Sequence, residues 1–288
     1  MADFWTHHRN ARLVGPTLIL LNERNERCVE SMYRPSMMRD DPSYNFVFAP
    51  PETRLEGNWT SIISRFGSSN YYHWLNDALP RLALLDELPP DTRIIVSGEL
   101  LQFQSDTLKL MGLFDRVRFT AESNLVLENY YFSSHTVITG CYDPYSLGFL
   151  RAQFLPKVTN EEGLPKRIYL YRRGKTRGIR NEEELIRLVT ELGWTVIDPE
   201  NFTFQEQLNL FAQVEAVCGF HGAAFTNLVW CKSGCKVLEI FPDNFLNACY
   251  ENVARFVKCQ YHFLVYPGDA FVFIDVNIDD VRKIIANW

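Results

Sequence analysis

The sequence predicts an α/β protein of two lobes built on parallel sheets, and three observations carry that reading. From Arg167 onward, short β-branched runs alternate with helical stretches in four or five successive units. A weaker alternation runs from Arg93 to Ser133. Between the two lies a polar stretch, Thr159 to Pro165, with the glycine and proline of a linker. The boundary is therefore expected near residue 160, giving an N-terminal lobe over 1–160 and a C-terminal lobe over 161–288.

Residues 13 to 60 read as a short β-rich segment, with extended pieces at Leu13 to Leu21 and Asn45 to Ala49 before Pro50 and Pro51. Helical spacing of Trp74, Ala78, Leu82 and Leu85 predicts a helix over about 70–85, kinked or broken at Pro80. Arg93 to Ser97 fits a buried parallel strand, Ser105 to Phe114 a helix, and Arg116 to Thr120 and Leu125 to Ser133 extended segments. In the second lobe Arg167 to Tyr171, Thr195 to Asp198, Ala216 to Phe220, Lys236 to Phe241 and Tyr261 to Tyr266 read as strands. The helices between them start with recognisable signals. Asn181 is placed as an N-cap before three glutamates, and Thr203 with Glu206 makes a capping box. Further helices are expected at His221 to Trp230, Ala248 to Val257 and Asp279 to Asn287. Strand–helix units in series predict a doubly wound sheet.

Composition limits the function classes. With 47% hydrophobic and 22% charged residues the chain is a folding, globular sequence. A formal charge of −6 disfavours nucleic acid as partner. No run approaches the roughly 18 apolar residues of a spanning helix, so no membrane span is expected. The seven cysteines are dispersed, and the closest pair, Cys231 and Cys235, lacks a second pair at metal-ligand spacing. They read as reduced core thiols, which points to the cytoplasm and leaves the sequons at Asn58 and Asn201 without meaning.

Ligands of doubly wound sheets bind beyond the carboxyl ends of the strands, and the run Ala216 to Phe220 ends at His221-Gly222-Ala223-Ala224. Small residues there allow close approach to the backbone, and the free N–H groups of a first helical turn favour an anion. A tight strand-to-helix turn selects the same small residues. Glu239, an acid within the apolar run Val237 to Phe241, is expected at the strand's exposed end, accepting from sugar hydroxyls or backbone donors, ribose being the simplest partner. The alternative is a structural cap. Arg172, Arg173, Lys175 and Arg177 follow the Ile168 to Tyr171 strand and suit phosphate oxygens, or form a solvated basic turn. His73 and Asp77, four apart, share one helical face and can exchange a proton with an acceptor hydroxyl, with either as base. A satisfied core histidine beside an acid accounts for the same spacing.

Taken in order, NYYHWLNDALPRL at 70–82, RIYLYRR at 167–173, NEEEL at 181–185, FQEQLNLF at 204–211 and GFHGAAFTNLVW through VLEIFP at 219–242 resemble the family 61 glycosyltransferases. That resemblance implies a GT-B architecture, two Rossmann-like lobes with an interlobe cleft, and inverting transfer from a nucleotide-sugar without a metal or other cofactor. It implies Asp77 as base, supported by His73. It further implies a UDP diphosphate held by Arg172, Arg173, Arg177 and the loop of His221, Gly222, Ala223 and Ala224, continued to Asn227, with ribose on Glu239. No convincing D-x-D metal motif is present, Asp275-Val276-Asn277 being the nearest. Family membership leans to xylose or another pentose as the sugar, then N-acetylglucosamine, with a glycan hydroxyl as acceptor. Without an anchor the chain looks like a bacterial or viral form. Two rivals remain: a non-catalytic nucleotide-sugar or glycan binder on the same fold, and a nicotinamide enzyme, which the missing G-x-G-x-x-G disfavours.

Overall fold

The computed structural model describes residues 5–15, 17–22, 24–28, 31, 52–63, 67, 69–134, 143–172, 177–269 and 272–288. The chain divides into two units, Met1–Leu150 and Arg151–Trp288. The segment expected to be extended at Asn45 to Ala49 lies outside the described residues, as do residues 173–176. Among the described residues no helix is long and apolar enough to cross a membrane.

In the first unit, strands β1 (Trp5–Val14), β2 (Ile19–Leu21), β3 (Thr53–Ser61), β4 (Arg93–Ser97), β5 (Val117–Thr120) and β6 (Asn124–Ser133) form one sheet in the order β2-β1-β6-β3-β4-β5. The pairs of β3 with β4 and β6, and of β4 with β5, are parallel. Strand β1 runs antiparallel to both β2 and β6. The sheet is thus mixed, with a parallel half in which β3 lies between β6 and β4. A register shift between Leu55 and Asn58 marks a bulge in β3, where Gly57 takes a φ of +90°. Leu13, Leu20, Trp59, Ile95, Leu125 and Leu127 fill the core on this sheet, each large apolar side chain contributing about 1.5–3 kcal/mol by burial.

The expected 70–85 helix forms as three successive pitches. Asn70 caps α1 (Tyr71–His73) by accepting from the N–H groups of Tyr72 and His73. A π turn, Trp74–Ala78, follows, in which the Leu79 N–H reaches back to the Trp74 carbonyl, and then a 3₁₀ segment, Leu79–Glu87. Pro80 explains the change: it has no N–H to give and its ring disfavours a continuing α-helix. Helix α2 (Gln102–Leu110) packs alongside, its Thr107 hydroxyl accepting from the indole of Trp74 at 2.9 Å. Helix α3 (Pro144–Phe154) leads into the second unit.

The second unit comprises β7 (Arg167–Leu170), β8 (Gly178–Ile179), α4 (Glu182–Glu191), β9 (Thr195–Ile197), α5 (Phe204–Phe211), β10 (Ala216–Phe220), a 3₁₀ helix (Ala223–Trp230), β11 (Lys236–Pro242), α6 (Cys249–Val257), β12 (Gln260–Tyr266), β13 (Phe273–Ile274) and α7 (Ile278–Ile285). Its main sheet has the order β12-β11-β10-β7-β9 and every pair is parallel. The winding direction reverses between β7 and β10, which is the topological switch point of a doubly wound sheet. The apolar runs Val217, Cys218, Leu238 and Ile240 are buried on both sides, as central parallel strands require.

Two local expectations change in detail. Asn181 stands at the N-cap position of α4, but its backbone (φ −92°, ψ 33°) is not extended and its side chain makes no cap bond. The amide instead pairs with both backbone groups of Val276, at 2.9 Å each, tying α4 to the approach to α7. The segment after β10 forms a 3₁₀ helix from Ala223 rather than a helix from His221.

The capping box of α5 is present in full: the Thr203 N–H donates to Glu206 at 2.7 Å and the Glu206 N–H to the Thr203 hydroxyl at 3.3 Å. Replacing Thr203 with Ala should lower the stability of the second unit by about 1 kcal/mol, read as a lower denaturant midpoint. An unchanged midpoint would mean that the box contributes nothing.

Candidate active site

In the first unit His73 and Asp77 lie on α1 and the π turn after it, the elements that follow β3 in sequence. The His73 ring nitrogen Nδ1 stands 2.6 Å from Asp77 Oδ2. Asp77 is 2% exposed and His73 15%, so the carboxylate is the inner member of the pair and the imidazole the outer one. Asp77 lies in the π turn one helical turn from His73, and Trp74, Leu75 and Ala78 of that turn enter the core.

Arg81, on the same helical segment, fixes this arrangement to the sheet. Its guanidinium donates to the Ile63 carbonyl at 2.8 Å and the Ser133 carbonyl at 2.7 Å, beyond the carboxyl ends of β3 and β6. Burial pushes its pKa down, and the neighbouring Tyr130 partly offsets that. A buried cation is costly unless hydrogen-bonded. The two strand-end carbonyls supply those bonds and so locate the His73 helix over the point where β3 and β6 diverge. Sequence spacing did not single out Arg81, because its two acceptors come from backbone 18 and 52 residues away.

In the second unit the switch point between β7 and β10 collects the basic residues. Arg172 follows β7, and its Nη1 donates to the His221 carbonyl at 2.7 Å, just after β10. A Cβ on Gly222 would stand 2.5 Å from that same nitrogen, so a larger residue here would have the end of the Arg172 side chain shift off the loop. The Gly222 φ of 178° is ordinary extended backbone and does not itself demand glycine. Burial and the nearby charge of Arg177 push Arg172 down to about 10. Arg177 is lowered by its own burial and lies over the Phe245 ring, 4.7 Å from the centroid. Among the described residues neither arginine forms an ion pair with a carboxylate. The N–H groups of Gly222, Ala223 and Ala224 likewise find no backbone acceptor among them. Two half-buried cations and a helix start thus converge on one place. Arg173, expected beside them, lies outside the described residues.

His221 is 4% exposed and lies against Phe241, at 4.9 Å and nearly parallel, with Tyr250 at 5.2 Å and Phe245 at 5.6 Å. Its Nδ1 is 2.5 Å from Glu239 Oε1. The Tyr261 hydroxyl donates to Glu239 Oε2 at 2.6 Å. Glu239 therefore does not sit at an exposed strand end: it is 0% exposed in the middle of β11, with both oxygens engaged. Burial raises its pKa, and the bonds from His221 and Tyr261 pull it back. Asn227 is also turned inward. Its Nδ2 donates to Gln207 at 2.8 Å and its Oδ1 accepts from the Trp230 indole at 3.0 Å, so it braces the 3₁₀ helix against α5. Tyr261 was not among the sequence candidates. Its relation to Glu239 follows from the parallel register, in which Glu239 pairs with Phe263 and Tyr261 is the same-side neighbour two residues earlier.

Comparison with known proteins covers the same elements. Residues 71–238 match the model of the glycosyltransferase 61 family, from α1 into β11. The EGF domain-specific O-linked N-acetylglucosamine transferase of Drosophila melanogaster is 31% identical over 109 residues. That match covers 35% of this chain and 21% of the relative, so the chain spans about a fifth of the fly protein's length. Among solved structures, the E. coli heptosyltransferase WaaC with ADP superposes with a TM-score of 0.44 at 9% identity, covering 81% of this chain and 99% of that one. Since the family model takes in more than half of the sequence, including both clusters up to β11, the protein belongs to the glycosyltransferase 61 family.

Proposed function

We propose that this glycosyltransferase uses a UDP-sugar, holds its diphosphate at the β7–β10 switch point, and transfers the sugar with inversion to a glycan hydroxyl. The observation that carries the reading is the pair Arg172 and Arg177, half-buried without a carboxylate partner among the described residues, beside the N–H groups of Gly222, Ala223 and Ala224. Such a pair repels itself, and a doubly charged diphosphate relieves both the repulsion and the desolvation. Guanidinium groups and amide donors then do the charge neutralisation that a divalent metal does elsewhere. Asn227 contributes by bracing the helix that carries those amides.

On this reading the acceptor oxygen forms a bond to the anomeric carbon on the face opposite the diphosphate. The carbon–oxygen bond to the β-phosphate breaks, and its electron pair leaves with UDP. The acceptor proton passes to the His73–Asp77 pair, which the first unit supplies. Because Asp77 is the inner member, His73 is the nearer to solvent and Asp77 orients it and shares the proton. The fly relative, an O-linked N-acetylglucosamine transferase, favours N-acetylglucosamine as the sugar, with xylose second. Thermal stabilisation by UDP-N-acetylglucosamine and by UDP-xylose ranks the two donors directly.

Asp77→Asn should lower transfer by at least about a hundredfold while UDP affinity stays unchanged. Near wild-type transfer would remove the pair from the mechanism. Arg172→Ala, which removes the guanidinium from the loop, should weaken UDP binding by about tenfold in a calorimetric titration. Equal affinity would mean that Arg172 does not hold the donor.

A further inference from the structure

We propose that Glu239 and Tyr261 are positioning residues that act through His221, holding its imidazole so that Nε2 donates a hydrogen bond to the leaving diphosphate. This rests on the donor site described above. Apart from Nε2, every hydrogen-bonding atom of His221 is committed within the protein. Its N–H donates to the Ile240 carbonyl at 2.9 Å and its carbonyl accepts from Arg172. Nδ1 meets Glu239 at 2.5 Å. Nε2 has no hydrogen-bond partner among the described residues, although the ring is almost wholly enclosed. The aromatic contacts of Phe241, Phe245 and Tyr250 fix the plane of that ring.

A carboxylate on Nδ1 selects the tautomer that carries its proton there and fixes the orientation of the ring. When the diphosphate arrives with a proton, Nε2 takes that proton up, and the histidine–glutamate pair goes from one net negative charge to neutral. The hydroxyl of Tyr261 engages the second carboxylate oxygen, and Glu239 is fully buried. The other charged or titratable groups around the pair are Arg172 and Arg177, the Tyr250 hydroxyl, the Cys249 thiol and Glu251. The two arginines disfavour a lone imidazolium, and the incoming diphosphate reverses their effect. As the carbon–oxygen bond breaks, negative charge collects on the leaving phosphate oxygen. The Nε2–H formed on binding, on a ring already fixed in place, donates to that oxygen.

Two arrangements of the same residues differ in outcome. A Glu239 that binds ribose loses affinity only for ligands containing the nucleoside, whereas a Glu239 that acts through His221 loses affinity for the diphosphate itself. The full chain, with ¹⁵N-labelled histidine and His221 assigned through His221→Gln, is examined by NMR and titrated with pyrophosphate and with UDP. The expected wild-type state has a protonated Nδ1, and pyrophosphate adds a proton at Nε2. Glu239→Gln should weaken pyrophosphate and UDP by the same factor, about tenfold. Tyr261→Phe should weaken both by a smaller common factor, and it carries the test if Glu239→Gln does not fold. An unprotonated Nδ1 in the wild type, or a loss confined to UDP, overturns the proposal. A wild-type chain that binds neither ligand contradicts the donor site, and is thereby told apart from a failure of the positioning pair alone.

Discussion

The second unit depends on how a carboxylate is buried in the middle of a parallel sheet. Glu239 occupies a β11 position otherwise taken by apolar side chains, and an isolated charge there would cost several kcal/mol. His221 from the loop after β10 and Tyr261 from β12 satisfy both of its oxygens. That bonding pins the turn after β10, and the His221 carbonyl so placed receives Arg172 from the end of β7. The middle of β11, the start of β12 and the turn after β10 are coupled through one buried acid. The guanidinium also lies over Gly222, in space that a Cβ would otherwise enter.

The first unit solves a comparable problem with a cation. Pro80 prevents an unbroken α-helix, and the π turn before it contains Asp77, which meets His73. Arg81 then anchors the segment through the carbonyls of Ile63 and Ser133. In the first unit a buried cation binds backbone carbonyls at strand ends, and in the second a buried acid binds the side chains of two neighbouring elements; in each the residues assigned to chemistry lie close by. Parallel strands make this possible, because their carboxyl ends collect on one edge of the sheet.

Much of this was legible because it is local. Arg93–Ser97 and Ala216–Phe220 are continuous apolar or β-branched runs, and the Thr203–Glu206 box needs only a spacing of three. The ordered motifs located the family. Features that depend on register or on distant backbone were not legible. Strand β3 contains Glu56, Gly57 and Asn58, poor strand formers, and is held by β4 and β6 on either side. Asn181 and Asn227 look like a cap and a ligand by position, yet their amides are used by Val276, Gln207 and Trp230. The burial of Glu239 follows from β12 covering that edge of β11, which no spacing within the motif reveals.

The most direct test of the account is a crystal structure of the chain with UDP. The account predicts the diphosphate oxygens within hydrogen-bond distance of Arg172, Arg177, the Ala223 and Ala224 N–H groups and His221 Nε2, with the Glu239–His221 and Glu239–Tyr261 bonds intact. A diphosphate bound away from the β7–β10 switch point, or a ribose hydroxyl that replaces His221 on Glu239, would contradict it.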